Sequence, residues 1–410
     1  MTPPPPSPPR PEAAAAAPSR RARLLEVAAV FARLGFTAFG GPPAHVAMIE
    51  DEVVTRRRWV DRQHFLDLVA SVNFIPGPNS TELAIHLGLI RAGFAGLVVA
   101  GACFIFPAML IILPLAYLYV RTGALPQVSA AMSGINAAVI AIVAAAVVRF
   151  ARAAVTDAFT AGVAVASVAA GFWLAPRPHL QPELLILAAS ALLGALSAAR
   201  PAPRDALLAP ALLPLAVSPH WAAETTRMFL FLLKVGATLF GSGYVLVSYL
   251  QSGLVDRYHW FTRQELLDAI SIGQVTPGPL LTTATFVGYV LGARTFGGGV
   301  AGGIVGGVLA TAAIFLPSFL FVAALGPLLP RIRANRYARG ALRAMNAAVV
   351  ALIVVVLWRL GGDALFPAGR IDWPSLAIAA AALVALLVWN VNATWLIVAG
   401  AIIGVARSVQ

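Results

Sequence analysis

The sequence predicts an all-α polytopic membrane protein of two homologous helical halves, arranged as inverted repeats with broken or re-entrant helices. Three observations predict it. The 410-residue chain is 60% hydrophobic and only 11% charged, with mean hydropathy +0.84; a soluble domain carries about twice that charge. Apolar stretches long enough to cross a hydrocarbon core of about 30 Å recur along nearly the whole length, without strand-period alternation. The tripeptide Pro76-Gly77-Pro78 recurs 201 residues later as Pro277-Gly278-Pro279.

That recurrence belongs to an internal duplication. At the same offset Gly35 pairs with Gly236, Thr37 with Thr238, Gly40 with Gly241, Trp59 with Trp260, Asp67 with Asp268 and Thr81 with Thr282. Further on the offset becomes 210: Pro107 matches Pro317, Asn136 matches Asn346 and Arg149 matches Arg359. Ala and Val matches are expected by chance in apolar sequence. Gly, Pro, Trp, Asp and Asn matches in one order are not.

The elements then follow in order. Residues 1–22 form a Pro/Ala-rich tail expected to be disordered, with no cleavable signal after Arg20, Arg21 and Arg23. Repeat one spans 23–200, a Pro-rich linker 201–226, and repeat two 227–410. Each repeat opens with an apolar segment broken by glycine, at Gly40-Gly41 or Gly241-Ser242-Gly243. A polar loop follows, then a segment split by Pro-Gly-Pro (64–90 and 265–292). Next comes a long helix with an internal proline, and a helix starting near Asn136 or Asn346. Two final apolar segments close each repeat, 158–175 with 182–199 and 374–389 with 393–407. Gly298, Gly302 and Gly306 form a small-xxx-small row suited to close packing.

Charge placement orients the halves. Arg56, Arg57, Arg58 and Arg62 crowd the first loop of repeat one, whereas in repeat two the crowded loop is a later one, with Arg331, Arg333, Arg336, Arg339 and Arg343. If basic loops stay cytoplasmic, the halves run in opposite directions. The net charge of +12 therefore reflects loop orientation, and no nucleic-acid partner is expected. The single cysteine, Cys103, cannot form an internal disulfide.

Duplicated halves with helix breaks in matching positions point to a transporter's binding site. Each Pro-Gly-Pro removes two backbone donors and frees one residue for positive φ, so one helix stops and another starts. Asn79, Ser80 and Thr81 after the first break, and Thr282 and Thr283 after the second, are suited to capping those starts. A helix start presents free N–H groups and a partial positive charge, which favours an anion. The candidate substrate-binding set is Gly40, Gly41, Asn73, Pro76, Gly77, Pro78, Asn79, Ser80, Thr81, Lys234, Gly241, Ser242, Gly243, Gln274, Thr276, Pro277, Gly278, Pro279, Thr282 and Thr283. Arg33 aligns with Lys234, and Glu82 and His86 lie one turn apart; Arg33, Glu82 and His86 are candidates for charge or proton coupling. No nucleotide-binding loop, metal-ligand cluster or nucleophile elbow is present, so neither a cofactor, a metal nor an enzymatic activity is expected.

Several phrases resemble the chromate ion transporter family in its long, two-half class. They are Phe39-Gly40-Gly41-Pro42, the run Pro76 to Glu82, Thr276-Pro277-Gly278-Pro279, Thr282 to Phe286 with Gly288-Tyr289, and Phe315 to Phe319. The resemblance covers roughly 25–360, although the Gly-rich stretch 294–303 exceeds the family's usual spacing. It implies a secondary transporter in the bacterial cytoplasmic (inner) membrane moving chromate, with sulfate as a second ligand, in the direction of efflux and resistance. A transporter or channel for another small anion on the same scaffold is the alternative. Partners implied are the oxyanion and the lipid bilayer, with a homodimer as the candidate assembly.

Overall fold

A computed structural model of the chain describes residues 19–39, 41–123, 125–198, 222–241, 243–295 and 298–408. Residues 1–18 of the expected tail and most of the expected linker lie outside these residues. Arg20 to Ala22, expected in the tail, instead form the first turn of the first helix, because Ser19 caps it, its Oγ accepting from the Ala22 N–H at 3.2 Å. Half one comprises α1 (Arg20–Thr37), α2 (Gly41–Glu50), α3 (Arg62–Val72), α4 (Asn79–Thr122), α5 (Pro126–Ala154), α6 (Ala158–Leu174) and α7 (Pro182–Ser197). Half two comprises α8 (Ala222–Thr238), α9 (Val245–Leu250), α10 (Arg263–Val275), α11 (Thr283–Thr295), α12 (Gly299–Leu325), α13 (Leu329–Ala334), α14 (Arg336–Leu365), α15 (Trp373–Val388) and α16 (Ala393–Ser408). A π-helical turn follows α2 and another follows α9, at Asp51–Arg56 and Gln251–Arg257. Helix α8 starts five residues before the expected boundary of repeat two. Ala222 and Ala223 are strong helix formers and Glu224 suits the first turn.

Helix α4 is too long to be one rod. At 1.5 Å per residue its 44 residues would reach about 66 Å, twice a hydrocarbon core. Ala92 and Gly93 leave helical geometry, Gly93 at φ +68°, and the chain reverses there. Gly88 and Gly96 then face each other so closely that a side chain on either would strike the other's carbonyl. In half two the equivalent arms are α11 and α12, held by the same device at Gly288–Gly306 and Gly292–Gly302. The nine residues that change the offset from 201 to 210 fall at this reversal, lengthening the hairpin's arms.

Ion pairs fix which ends meet. Glu26 near the start of α1 accepts from Arg57 at 3.1 Å, Trp59 at 3.0 Å and Arg91 at 2.6 Å. The loop before α3 and the end of α4's first arm therefore lie at the same end. So α3 enters, turns at Pro76-Gly77-Pro78 and returns on the first arm of α4: a re-entrant hairpin. In half two Arg294, ending α11, pairs with Glu265 at the start of α10, making the same hairpin. Arg333 bonds Asp67 at 2.8 Å, placing the end of α13 at the entrance of the first hairpin. Tyr119 bonds Asp268 at 2.8 Å, and Arg263 lies 3.2 Å from Asp363, at the entrance of the second. The two hairpins enter from opposite ends, so the halves are inverted.

The halves are also interleaved. α6 and α7 of half one pack along α14 of half two, and α15 and α16 pack along α5. Among the described residues four helices are long and apolar enough to cross a membrane (α4, α5, α12 continuing through α13, and α14). The flanking four have 16 or 17 residues, about 25 Å. This is a multi-pass membrane protein.

The geometry gives a direct topology test. Arg58 and Asn335 lie at one end, Leu125 and Arg257 at the other. Single cysteines at these four positions in a Cys103→Ala background should label in two pairs with an impermeant thiol reagent. Leu125→Cys and Arg257→Cys should react on intact cells, while Arg58→Cys and Asn335→Cys should react only after permeabilisation. Labelling of positions 58 and 257 from one side would mean a parallel duplication.

Candidate functional site

The four chain breaks meet at one place. Gly77 and Gly278 sit at the hairpin tips with φ of 140° and 97°, a backbone region that a side chain strains. The Gly77 N–H donates to the carbonyl of Leu239 at 2.6 Å, and the Gly278 N–H donates to that of Ala38 at 2.9 Å. Ala38 and Leu239 are equivalent residues at the broken ends of α1 and α8. Each tip therefore closes an orphan carbonyl of the opposite half's first helix, around a pseudo-twofold axis. Gly77 and Gly278 are expected from the sequence among the substrate-binding residues; their N–H groups tie the halves together instead.

The polar side chains beside the tips are differently employed from the expected caps. Pro78 and Pro279 occupy the N-cap positions, and neither helix start receives a side-chain cap. Asn79 donates instead to Asn73 at 2.6 Å, and Asn73 to the carbonyl of Val69 at 3.1 Å. Ser80 Oγ lies 3.3 Å from His45 Nδ1, whose Nε2 is 3.0 Å from the Ala38 carbonyl. His45, buried on α2, thus links one tip to one broken helix. In half two Thr282 donates to the carbonyl of Pro279 at 2.7 Å and Thr276 to that of Gly273 at 3.1 Å. Thr81 Oγ1 and Thr283 Oγ1 are buried without a hydrogen-bond partner among the described residues, and Gln274 lies beside the Tyr244 hydroxyl.

Glycine breaks from both halves border this centre. A Cβ on Gly41 would lie 3.8 Å from the Tyr244 hydroxyl, one on Gly241 3.3 Å from Asn346 Oδ1, and one on Gly243 3.5 Å from Leu280. Gly40 and Ser242 lie outside the described residues.

Beneath Gly77 lies an acidic cluster with no counterpart. Glu82 is 0% exposed, and among the described residues its carboxylate has no charged partner, the Ser318 hydroxyl being the polar group beside it. A methyl group on Gly77 would run into both that carboxylate and Ser318 Oγ. Ser318 follows Pro317 on α12, so the opposite half completes the cluster. His86, one turn beyond Glu82, leaves Nδ1 unpartnered. At the equivalent place under Gly278 stands Ala108, 2.9 Å from the Cβ position, while Thr283 replaces Glu82. The fold builds this junction without an acid in one half, so packing alone does not require Glu82.

The charged candidates lie farther out. Arg33 pairs with Glu52, which Arg57 also bonds at 2.6 Å, in the cluster around the α1 entrance. Lys234 donates to Gln181 at 3.1 Å and sits 5.5 Å from the centre of the Phe231 ring. Neither is directed at the hairpin tips. The matched residues Asn136 and Asn346 differ sharply. Asn136 is buried, donating to Asp268 at 2.7 Å and accepting from Ser271 at 2.6 Å. Asn346 lines an open cavity with Arg339 and Arg343.

The structure thus brings together Gly41, Pro76 to Glu82, Gly241, Gly243 and Thr276 to Thr283, and leaves Arg33 and Lys234 about a turn away. The sequence reading missed His45, Tyr244, Ser318 and Asn346 as members of this centre. Asn346 carried a signal through its repeat match to Asn136, and Ser318 lay within the phrase Phe315 to Phe319 without being singled out.

Comparison with known proteins matches the chromate transporter family model over residues 25–195 and 226–405. A chromate transport protein of Cupriavidus metallidurans is 29% identical over 401 residues, covering 92% of this chain and 91% of that protein. One of Pseudomonas aeruginosa is 32% identical over 338 residues, covering 80% and 79%. An uncharacterized transporter of Bacillus subtilis is 24% identical over 180 residues, 43% of this chain but 94% of its own length. It is thus the length of a single half. No solved structure gives a significant match.

Proposed function

The chain belongs to the chromate transporter family, and from that premise we propose that it is a secondary transporter of chromate, with sulfate as a second ligand. The observation that carries this reading is the reciprocal bonding of the Pro-Gly-Pro tips to the broken first helices of the opposite halves. Irregular backbone at membrane depth is tolerated where it is buried in protein or lines a water-filled cavity. Inverted halves with broken helices meeting at their centre support alternating access around one site.

In this reading the anion binds beside the tips. The N–H groups of Asn79 and Ser80 at the start of α4, those of Leu280 and Leu281 in the turn before α11, and the Thr81 and Thr283 hydroxyls supply donors to it. The Asn136–Asp268–Tyr119 network closes one end, while the cavity at Asn346 opens the other. Glu82, with His86 beyond it, is the carboxyl that takes up a coupling proton. We place the protein in a bacterial inner membrane, exporting chromate as a resistance function, with basic loops in the cytoplasm. Residues 23–200 and 227–410 act as its two repeats, and a homodimer is the proposed assembly.

Purified protein in proteoliposomes should accumulate labelled chromate well above empty liposomes, and excess unlabelled sulfate should reduce that uptake. Uptake indistinguishable from empty liposomes would remove the reading.

A further inference from the structure

We propose that the cavity at the basic end of the molecule, lined by Arg339, Arg343 and Asn346, is a recruiting site for a tetrahedral dianion that feeds the centre from that end alone. This rests on reading the chain as an oxyanion carrier, and deepens it by assigning the face from which the anion is taken.

The cavity has a volume of about 230 Å³ and is also lined by Phe74, Thr156 and Leu342; this is room for several waters. Arg339, Arg343 and Asn346 follow at i, i+4 and i+7, so they form a ladder down one face of α14. Seven residues of helix advance about 10 Å. The foot of the ladder reaches the chain breaks of both halves. Asn346 Oδ1 is 3.3 Å from the Cβ position of Gly241, and Phe74 stands three residues before Gly77. An anion passing from Arg339 to Asn346 would arrive at the tips.

Charge makes the cavity selective. Arg343 pairs with Asp157. Arg339 has no carboxylate partner among the described residues; it donates to the carbonyls of Arg333 at 3.1 Å and Ala334 at 3.0 Å. Its charge is therefore available to an incoming anion, and a guanidinium fork matches the paired oxygens of a tetrahedral oxyanion. At 0.15 M salt the screening length is about 8 Å, so the charge acts across the cavity but not far beyond it.

The feature is one-sided. The repeat counterparts of Arg339 and Arg343 are Ser129 and Ser133, and Asn136 at the foot is consumed by Asp268 and Ser271. The recruiting ladder was not duplicated with the fold. It stands at the end shared with Arg56 to Arg58.

The test uses proteoliposomes of defined orientation and labelled chromate, comparing wild type, Arg339→Gln and Arg339→Lys. With chromate presented at the basic end, Arg339→Gln should raise the half-saturating concentration about tenfold, with a much smaller effect on maximal rate. Added salt should slow wild type more than this variant. Arg339→Lys should recover only part of the lost affinity, since it restores the charge but not the paired donors of the fork. With chromate presented at the other end, all three should have the same half-saturating concentration. An unchanged value at the basic end, or equal changes at both ends, would overturn the proposal while wild-type flux upholds the carrier reading. Wild-type vesicles that move no oxyanion would remove the carrier reading itself, and this inference with it.

Discussion

Gly77→Val and Gly278→Val should each lower chromate flux at least a hundredfold while leaving the protein inserted in the membrane. Both glycines hold positive φ, which costs a β-branched residue about 1–3 kcal/mol before any contact is counted. Contacts then make the two sites unequal. At Gly77 the new side chain would overlap the Glu82 carboxylate and Ser318 Oγ, both fully buried. At Gly278 it would meet the Ala108 methyl at 2.9 Å and then the carbonyl of Gly35. Either tip must move, and moving breaks the bond from its N–H to Leu239 or Ala38. That bond joins the halves at the centre, so alternation fails even when the outer helices still pack. Detergent-solubilised yield and size-exclusion profile would report folding, and tracer flux would report function. Normal flux in Gly77→Val would show that the tips neither bind nor couple anything.

Glu82→Gln should leave chromate exchange running but abolish accumulation driven by an imposed pH gradient, at least tenfold below wild type. The amide has the shape of a protonated carboxyl and cannot release the proton. Burying a lone carboxylate in a dry site is costly, and no cation is at hand to offset it. Among elements packed on α4, α12 has no titratable side chain. α1 offers Arg20, Arg21 and Arg23 in its first turn and the ion-paired Glu26 and Arg33, and α2 offers Glu50, paired with Arg62, and His45, bound to Ser80 and Ala38. α3 brings Arg62, His64 and Asp67, the last paired with Arg333; α10 brings Arg263, paired with Asp363, Glu265 and Asp268, and α11 Tyr289 and Arg294, Glu265 and Arg294 being mutually paired. Along α4 itself the next titratable group is His86. Exchange and gradient-driven uptake, assayed in the same vesicles, separate coupling from binding. Gradient-driven accumulation that survives the substitution would assign the coupling elsewhere.

Much of this architecture is written in residues with few alternatives. Proline and glycine in register mark the breaks, and the change in offset marks where the second hairpin is longer. Basic loops at different places in each repeat foretell the inversion. Hydropathy alone could not say whether the split segments cross or re-enter, because half a span in and half out has the composition of one span. The ion pairs Glu26–Arg91 and Glu265–Arg294 decide it, and they join residues 65 and 29 positions apart.

The site was less legible for a related reason. Its members come from opposite halves, so Ser318 lies 241 residues from Gly77, and no local pattern links Tyr244 to Gly41. The placing of Gly77 and Gly278 in the substrate-binding set followed from the break considered alone. Their N–H groups found another use once the broken end of the other half supplied a carbonyl. Arg339 and Arg343 read as loop charges in the sequence because their helical ladder to Asn346 only acquires a purpose when Gly241 lies at its foot.

The central claim is that one site between inverted halves is offered alternately to the two faces. Counterflow tests it most directly: vesicles loaded with unlabelled chromate are diluted into a trace of labelled chromate with no ion gradient imposed. The account predicts a transient accumulation of label above its equilibrium level, faster than uptake into unloaded vesicles and absent in Gly77→Val. Monotonic equilibration at a rate indifferent to the internal chromate would contradict it and identify a channel.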